Sequence, residues 1–480
     1  MHNIVEIDPV TRIEGHARIT VHLDDAGTVS EARFHVTEFR GFEELCKGRT
    51  VWEMPSLTAR TCGICPVSHL LASARAGDMI LGVGVPPAGV ALRSLANLAQ
   101  IIQSHVLSFF HLSAPDLLLG MDAAPESRNI FALMQTQPDL VRRGVRLRQF
   151  GQEIIAAVTG ERIHGAGIVP GGVAAPLTGD QVEAIAAWVP EARAAAVDTL
   201  ELFTTQLLDR FADEVATFGA FDTLFLSMCA PDGQWSHDAG GLRVVDSTGA
   251  IVADQIDPAT YREWLGEWGA TDSYLKSPYW RPAVDGTDDP SAGIYRVGPL
   301  ARLNVCETMG TPLAEEALVD YRERVGGIAT SSFSFHHARL IEVLACVERI
   351  EQLLADPILC DPHVRATAGI NRRSGVGCSE APRGTLFHAY DVGDDGTIAG
   401  VDMLIATGQN NLAMNRAVTQ VARAYVTGPE IPEGTLNRLE ASIRAFDPCL
   451  SCSTHAIGQM PLVVTLLDHE GHEVQVVRRD

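Results

Sequence analysis

Two short cysteine pairs, one near each end of the chain, limit what this sequence can fold into. Arg60-Thr61-Cys62-Gly63-Ile64-Cys65-Pro66-Val67-Ser68-His69 carries the first, and Asp447-Pro448-Cys449-Leu450-Ser451-Cys452-Ser453-Thr454-His455 the second. In each, two thiols three residues apart point sulfur at one small volume, with an imidazole further on, which suits a thiophilic metal. The halves of a zinc knuckle normally lie about 15 to 20 residues apart. Here 384 positions separate Cys65 from Cys449, so if the four sulfurs meet, the whole domain is folded between them.

The chain has 480 residues, 46% of them hydrophobic, enough for a large core. Length alone allows about two to four domains, but no Pro- or Ser-rich linker divides the sequence, so residues 1–455 are expected to form one unit. The net charge of -23 would be repelled by nucleic-acid phosphates and anionic lipid, so neither nucleic-acid binding nor direct membrane insertion is expected. No uninterrupted apolar run reaches the roughly 18 residues that span a bilayer. Residues 1–8 show neither a basic nor an apolar leader pattern, which favours a cytoplasmic location and leaves open an address carried by a partner. Cys46, Cys229, Cys306, Cys346, Cys360 and Cys378 stand singly and read as ordinary reduced thiols.

Periodicity predicts an α+β, predominantly helical fold: a core of long helices with peripheral hairpins toward both ends. Residues 17–23 and 29–36 alternate around a turn at 24–27 as an N-terminal hairpin does. Helical spacing follows over 68–83, 87–119, 139–158 and 178–218, the last opened by Thr178 with Gln181 three residues on. A bundle of such helices can hold a metal between facing members. Residues 242–255 read as a short hairpin, 311–325 and 330–354 as helices, and 385–401 as a hairpin around 393–396. Trp264, Trp268, Tyr274, Tyr279 and Trp280 cluster either as local core or as a partner surface. His105 fits a satisfied core histidine better than a ligand. Arg383, between Pro382 and Gly384, is either a solvated charge or a guanidinium aimed into a pocket, where its planar fork stabilises anions. Glu14, a lone carboxylate beside a strand, reads from the residues alone as solvated. Residues 462–467 and 474–477 read as a final hairpin.

The two cysteine segments closely resemble the paired signatures of nickel-iron hydrogenase large subunits. Residues 8–16 (DPVTRIEGH), 40–43 (RGFE), 169–173 (VPGGV) and 380–384 (EAPRG) extend the likeness over nearly the whole chain. The wording is most similar to the cytoplasmic NAD-reducing, bidirectional branch. That resemblance implies nickel on Cys62, Cys65, Cys449 and Cys452, with Cys65 and Cys452 also bridging to an iron carrying cyanide and carbonyl ligands. It implies magnesium near Glu43 and His455. It further implies heterolytic cleavage of dihydrogen, with Cys452 or Arg383 as first base, Glu14 as the relay, and Asp116 and Asp447 holding Arg383 by charge-assisted hydrogen bonds.

No cysteine cluster is left for an iron-sulfur centre, and no Gly-rich dinucleotide fingerprint occurs. The expected partners are therefore an iron-sulfur hydrogenase small subunit together with a diaphorase module bearing FMN and NAD. Residues 456–480 would be a maturation extension, removed by an endopeptidase after nickel-insertion chaperones have acted. On that reading the tail keeps the site open, and cleavage lets His455 approach Glu43. Three alternatives stand beside this: a regulatory hydrogenase that senses hydrogen, a structural tetrathiolate zinc protein, and a quinone-binding relative, though the last lineage lacks the cysteine pairs.

Overall fold

The computed structural model describes residues 4–284, 289–428, 431–456, 462–467 and 472–479. Strands β1 (Ile4–Ile7), β2 (Ala17–Leu23) and β3 (Val29–Val36) form an antiparallel sheet in that order. Ile19 and Val21 on β2 and Phe34 and Val36 on β3 are buried, the inward set of a period-two pattern. Asp24 closes the turn by accepting from the amides of Ala26 and Thr28.

Helix α1 (Pro66–Leu81) starts at once after Cys65, with proline in its first turn where a missing N–H costs nothing. Helix α2 (Pro87–Leu107) was expected to run to 119, but its continuation is two π-helical stretches, Ser108–Ser113 and Pro115–Leu119. Pro115 cannot supply an N–H, which loosens the ladder there. Helix α3 (Pro138–Thr159) matches the expectation. The segment beginning at Thr178 does open on a capping box, yet the run is broken before Pro190, where α4 (Val189–Leu202) begins.

Strands β4 (Leu224–Cys229), β5 (Gly241–Val245), β6 (Ile251–Ile256) and β7 (Tyr295–Arg296) form a sheet in the order β7-β4-β5-β6. The β5–β6 hairpin was legible; β4 was not, because it is buried on both faces and its sequence does not alternate. Helix α5 (Pro299–Val305) follows, then a helix at Pro312–Val325 and α6 (Ser334–Leu354), which packs against α2 and α4 and is buried over most of its surface. Trp264 stacks on buried Trp280 at 5.3 Å, whereas Tyr274 and Tyr279 are half-buried and Trp268 is exposed, so the aromatic cluster is only partly core.

The third sheet, β8 (Ser374–Ala381), β9 (Gly384–Val392) and β10 (Ile398–Leu404), lies on α1. Helices α7 (Asn411–Tyr425) and α8 (Glu433–Arg444) lead to the second cysteine pair. Strands β11 (Leu462–Leu467) and β12 (Glu473–Arg479) pair antiparallel; the expected turn at 468–471 lies outside the described residues. Among the described residues no helix is long and apolar enough to cross a membrane.

What brings the ends together is main-chain hydrogen bonding. Leu450 N donates to Glu14 O (3.1 Å), Arg40 N and Gly41 N to Thr454 O (both 3.1 Å), and Glu43 N to His455 O (3.0 Å). On the other side, α1 approaches β8 so closely that a Cβ on Gly377 would lie 1.9 Å from Ala72 O and 2.5 Å from Ala76 N. Both are rigid backbone atoms of the helix that starts at Cys65. Gly377→Ala is therefore expected to destabilise the protein by about 1–3 kcal/mol or more through overpacking, read as a lower thermal midpoint of the assembled protein. An unchanged midpoint would show that α1 is free to move.

Candidate metal centre

A 3-10 turn at Ala59–Thr61 delivers Cys62, whose Sγ accepts from the amides of Ile64 (3.2 Å) and Cys65 (3.3 Å). That loop turns both sulfurs the same way. On the opposite segment Asp447 takes a left-handed φ of 54°, which Asp tolerates better than most residues. The chain then swings through Pro448 into a single helical turn, Leu450–Ser453, that sets Cys452 beside Cys449. The sulfurs lie 3.2 Å apart for Cys62–Cys449, 3.6 Å for Cys65–Cys452 and 2.9 Å for Cys449–Cys452. All four are buried and lie within 4.8 Å of one another.

The thiols of Cys449, Cys452 and Cys62 donate toward Cys65 and hold its pKa low, against burial. Burial keeps the protons on Cys449 and Cys452. Four sulfurs sharing protons in a dry pocket fit a soft cation, which displaces those protons on binding. A cavity of about 10 Å³ adjoins them, lined by Cys65, Cys449 and Cys452 but not Cys62, and walled by Pro382, Arg383 and Ile405.

Arg383 sits in the two-residue turn that joins β8 to β9, after Pro382 and before Gly384, whose φ of 134° requires glycine. Its Nε donates to Asp447 O (2.5 Å), Nη2 to Asp447 Oδ1 (3.1 Å) and Nη1 to Ser104 Oγ (3.3 Å). It is 4% exposed, so the pocket reading holds and the solvated one does not. Burial opposes its charge, but Asp447 and the neighbouring thiol positions hold its pKa above the ordinary value.

Asp116 does not join Asp447 on Arg383. It is bonded to Arg12, to Arg444 (2.5 Å) and to Asn437 Nδ2 (3.1 Å), tying the N-terminal segment to α8. Helical geometry explains the error: Asp116 lies three turns beyond Ser104, past the π-helical stretch, and Ser104 is the α2 side chain that meets Arg383. Burial works against the Asp116 charge, yet Arg444 and Arg12 hold its pKa below the usual carboxylate range.

Glu14 is half-buried, and its Oε2 accepts from the amide of Ser451 (3.1 Å), next to Cys452. Glu43 Oε1 contacts His455 Nδ1 (2.9 Å) and accepts from Met403 N (2.9 Å). His455 thus reaches Glu43 with residues 462–479 still attached, so seating it needs no cleavage, contrary to expectation; the short backbone stitch from residues 40–43 holds it there. His105 is the satisfied core histidine expected, bonded to Glu342 (2.8 Å).

A buried column that starts at the metal centre went unpredicted: Cys65 bonds His69, His69 bonds His388 (3.1 Å), His388 bonds Tyr390 (2.7 Å), and Tyr390 donates to Ser73 (2.9 Å). The signal was present, since His69 follows Cys65 by four residues and so lies on the same helix face, and His388 and Tyr390 share one face of a strand. Cys229 and Cys306 are buried thiols that donate to backbone carbonyls, to Gln234 O (3.8 Å) and Met228 O (3.9 Å).

Comparison with known proteins decides the family. The nickel-dependent hydrogenase family model matches residues 40–135 and 249–455, and a HoxL-like model matches residues 4–39. The chain belongs to the nickel-dependent hydrogenases. It is 41% identical to the beta subunit of the NAD-reducing hydrogenase HoxS of Cupriavidus necator, over 97% of each chain. It is 37% identical, over 98% of each chain, to its counterpart in the F420-non-reducing hydrogenase of Methanothermobacter thermautotrophicus. A crystal structure of an NAD+-reducing nickel-iron hydrogenase in the H2-reduced state superposes with a TM-score of 0.90 at 45% identity, covering 94% of this chain and 99% of that one. The structural zinc reading is thereby set aside, and the α+β, predominantly helical hydrogenase fold stands.

In this hydrogenase Asp116 is a structural strut and Asp447 touches the site. Asp116→Asn is expected to cost about 3 kcal/mol or more, because it leaves buried guanidinium charge unmatched, and to lower the thermal midpoint while surviving protein keeps its turnover. Asp447→Asn, which also leaves a buried guanidinium without its carboxylate, should lower the midpoint and turnover together. Because the folded pKa of Asp116 is depressed, its stabilisation is present above the unfolded value of about 3.9 and fades as pH falls through the lower folded one. Parallel melting and hydrogen-uptake measurements check this; equal effects on turnover would refute the division.

Proposed function

We propose that this chain is the catalytic subunit of a hydrogenase that passes electrons from dihydrogen through partner subunits to NAD. The reading rests on the enclosed tetrathiol beside a fully buried guanidinium, and the NAD-reducing relatives favour that acceptor. Cys62, Cys65, Cys449 and Cys452 would hold nickel as thiolates. Cys65 and Cys452, whose sulfurs lie 3.6 Å apart, would share an iron with cyanide and carbonyl ligands. When bound, the metals supply a soft, redox-active centre at which dihydrogen is polarised for heterolytic cleavage.

The protein's part is to place charge and move the proton. Arg383 is held by Asp447 and Ser104 and remains a guanidinium, so it serves as a fixed cation rather than as the base. Cys452 is then the first proton acceptor. Glu14 takes the proton next: it is anchored to the Ser451 amide one residue from Cys452 and is half-open to solvent. Glu43 and His455 would hold magnesium, a carboxylate oxygen and an imidazole nitrogen 2.9 Å apart being donors that a hard cation with water ligands can take up. Gly63, exposed, and Ile64, partly exposed, leave the Cys62 flank open to an iron-sulfur subunit, with an FMN- and NAD-bearing module beyond it. An NAD-linked role puts the complex in the cytoplasm.

Residues 456–480 are read as an extension removed by a maturation endopeptidase once chaperones have delivered nickel. One observation supports this: the family match stops at residue 455.

Paired substitutions test the site. Cys62→Ser is expected to lose nickel and hydrogen uptake together, because a hydroxyl replaces a thiolate. Glu14→Gln should retain nickel and lose hydrogen-deuterium exchange. Full uptake in either variant would overturn that residue's assignment. Mass spectrometry tests the tail: the active chain should end at His455 and nickel-starved cells should accumulate all 480 residues, whereas an active enzyme of full length would refute the cleavage.

A further inference from the structure

We propose that Arg302 is the positioning residue for Arg383, acting on the main chain of the turn that carries it; the inference rests on the reading of Arg383 as the fixed cation of the site. A guanidinium has five N–H donors in a rigid fork, and all five of Arg302 are used. Two go to Glu342, from Nε (2.5 Å) and Nη2 (2.7 Å). The other three go to consecutive residues just before Arg383: Nη1 to Glu380 Oε2 (2.8 Å) and Ala381 O (2.9 Å), and Nη2 to Pro382 O (3.1 Å). Arg302 itself makes no hydrogen bond to Arg383; it fixes the peptides from which that side chain projects.

The acceptors are fixed in turn. Glu342, on α6, also accepts from Trp235 Nε1 (3.0 Å) and bonds His105 (2.8 Å). Glu380 accepts from Met228 N (2.9 Å) and Thr385 Oγ1 (2.7 Å), which ties both strands of the turn to β4. His105 is next to Ser104 on α2, so one helix braces the cradle through His105 and meets the Arg383 side chain through Ser104. Gly298, which caps α5, lies so close that a Cβ there would be 2.7 Å from Arg383 O. Arg302, Glu342 and Glu380 are all fully buried.

The charges are consistent with this. Burial works against both carboxylates; at Glu342, Arg302 and His105 outweigh it and the pKa falls to about 2, while at Glu380 burial prevails and the pKa is raised. One guanidinium thus bridges two buried carboxylates, and its hydrogen bonds to both offset part of the cost of burying them. A lysine in its place keeps the charge but has three donors on one nitrogen and cannot span two carboxylates and two carbonyls. Because a displacement of about 1 Å in a reacting group can cost roughly 100-fold in rate, release of the turn is expected to show in turnover.

The test uses the assembled, nickel-loaded complex carrying Arg302→Lys, Arg383→Lys or both, with a crystal structure of the first. In Arg302→Lys, Arg383 should leave Asp447 and Ser104, and kcat should fall about 10- to 100-fold, with the KM for dihydrogen within about twofold of wild type. The double variant should be no slower than Arg383→Lys alone. An Arg383 unmoved in the Arg302→Lys crystal, or losses that multiply in the double variant, would overturn the proposal. Normal turnover of Arg383→Lys would instead refute the role of Arg383, leaving the crystallographic position of that side chain to decide for or against Arg302. If Arg302→Lys does not assemble, Glu380→Gln, nearly isosteric and altering a single acceptor of the cradle, takes its place with the same readouts.

Discussion

The metal centre depends on a backbone stitch between the two ends of the chain. Glu14, residues 40–41 and Glu43 form main-chain hydrogen bonds with Leu450, Thr454 and His455, and so fix where Cys449 and Cys452 can lie. These bonds ignore side-chain identity, so the stitch constrains position without limiting chemistry, and the side chains of Glu14 and Glu43 are left free to face the site. Closing a loop of this length is entropically less costly than it looks, since each doubling adds only about 0.6 kcal/mol. The larger demand falls on the core between the ends, where α2 and α6 are buried over most of their length.

Charge is arranged in layers around that stitch. Acidic residues give the chain a net charge of -23, while a guanidinium, that of Arg383, lines the cavity beside Cys65, Cys449 and Cys452. Arg383 pairs with Asp447, whose pKa burial lifts against the pull of Arg383 and Arg339. Thiolates at Cys62, Cys65, Cys449 and Cys452 would add negative charge beside the Arg383–Asp447 pair. Removing sulfur charge and removing Arg383 are thus coupled perturbations, and their effects should not add.

What the sequence disclosed followed from local rules. The cysteine pairs, the capping box at Thr178, the proline at the start of α1 and the alternating strands of the first sheet are each visible within about ten residues. What it hid depended on partners far along the chain. Strand β4 is buried on both faces and lacks alternation. Arg302 is an ordinary residue in a short helix until Glu342 and Glu380, 40 and 78 positions away, are brought to it. Asp116 was placed on Arg383 by the family resemblance; its position at the end of the π-helical continuation of α2 puts it among Arg12, Arg128 and Arg444 instead.

The substitution of Ser104 for that expected carboxylate matters for how Arg383 is tuned. A hydroxyl orients one Nη without adding charge, so Asp447 is the carboxylate that hydrogen-bonds the guanidinium among the described residues. A second carboxylate would have lowered the net positive charge beside the cavity and weakened its attraction for developing negative charge. With a neutral oxygen in that place, Arg383 is oriented through Ser104 without a second ion pair, and Asp447 remains its carboxylate partner. The cost is that orientation now relies more on the main chain beneath the side chain than on ion pairs around it, which is where the saturated fork of Arg302 is applied.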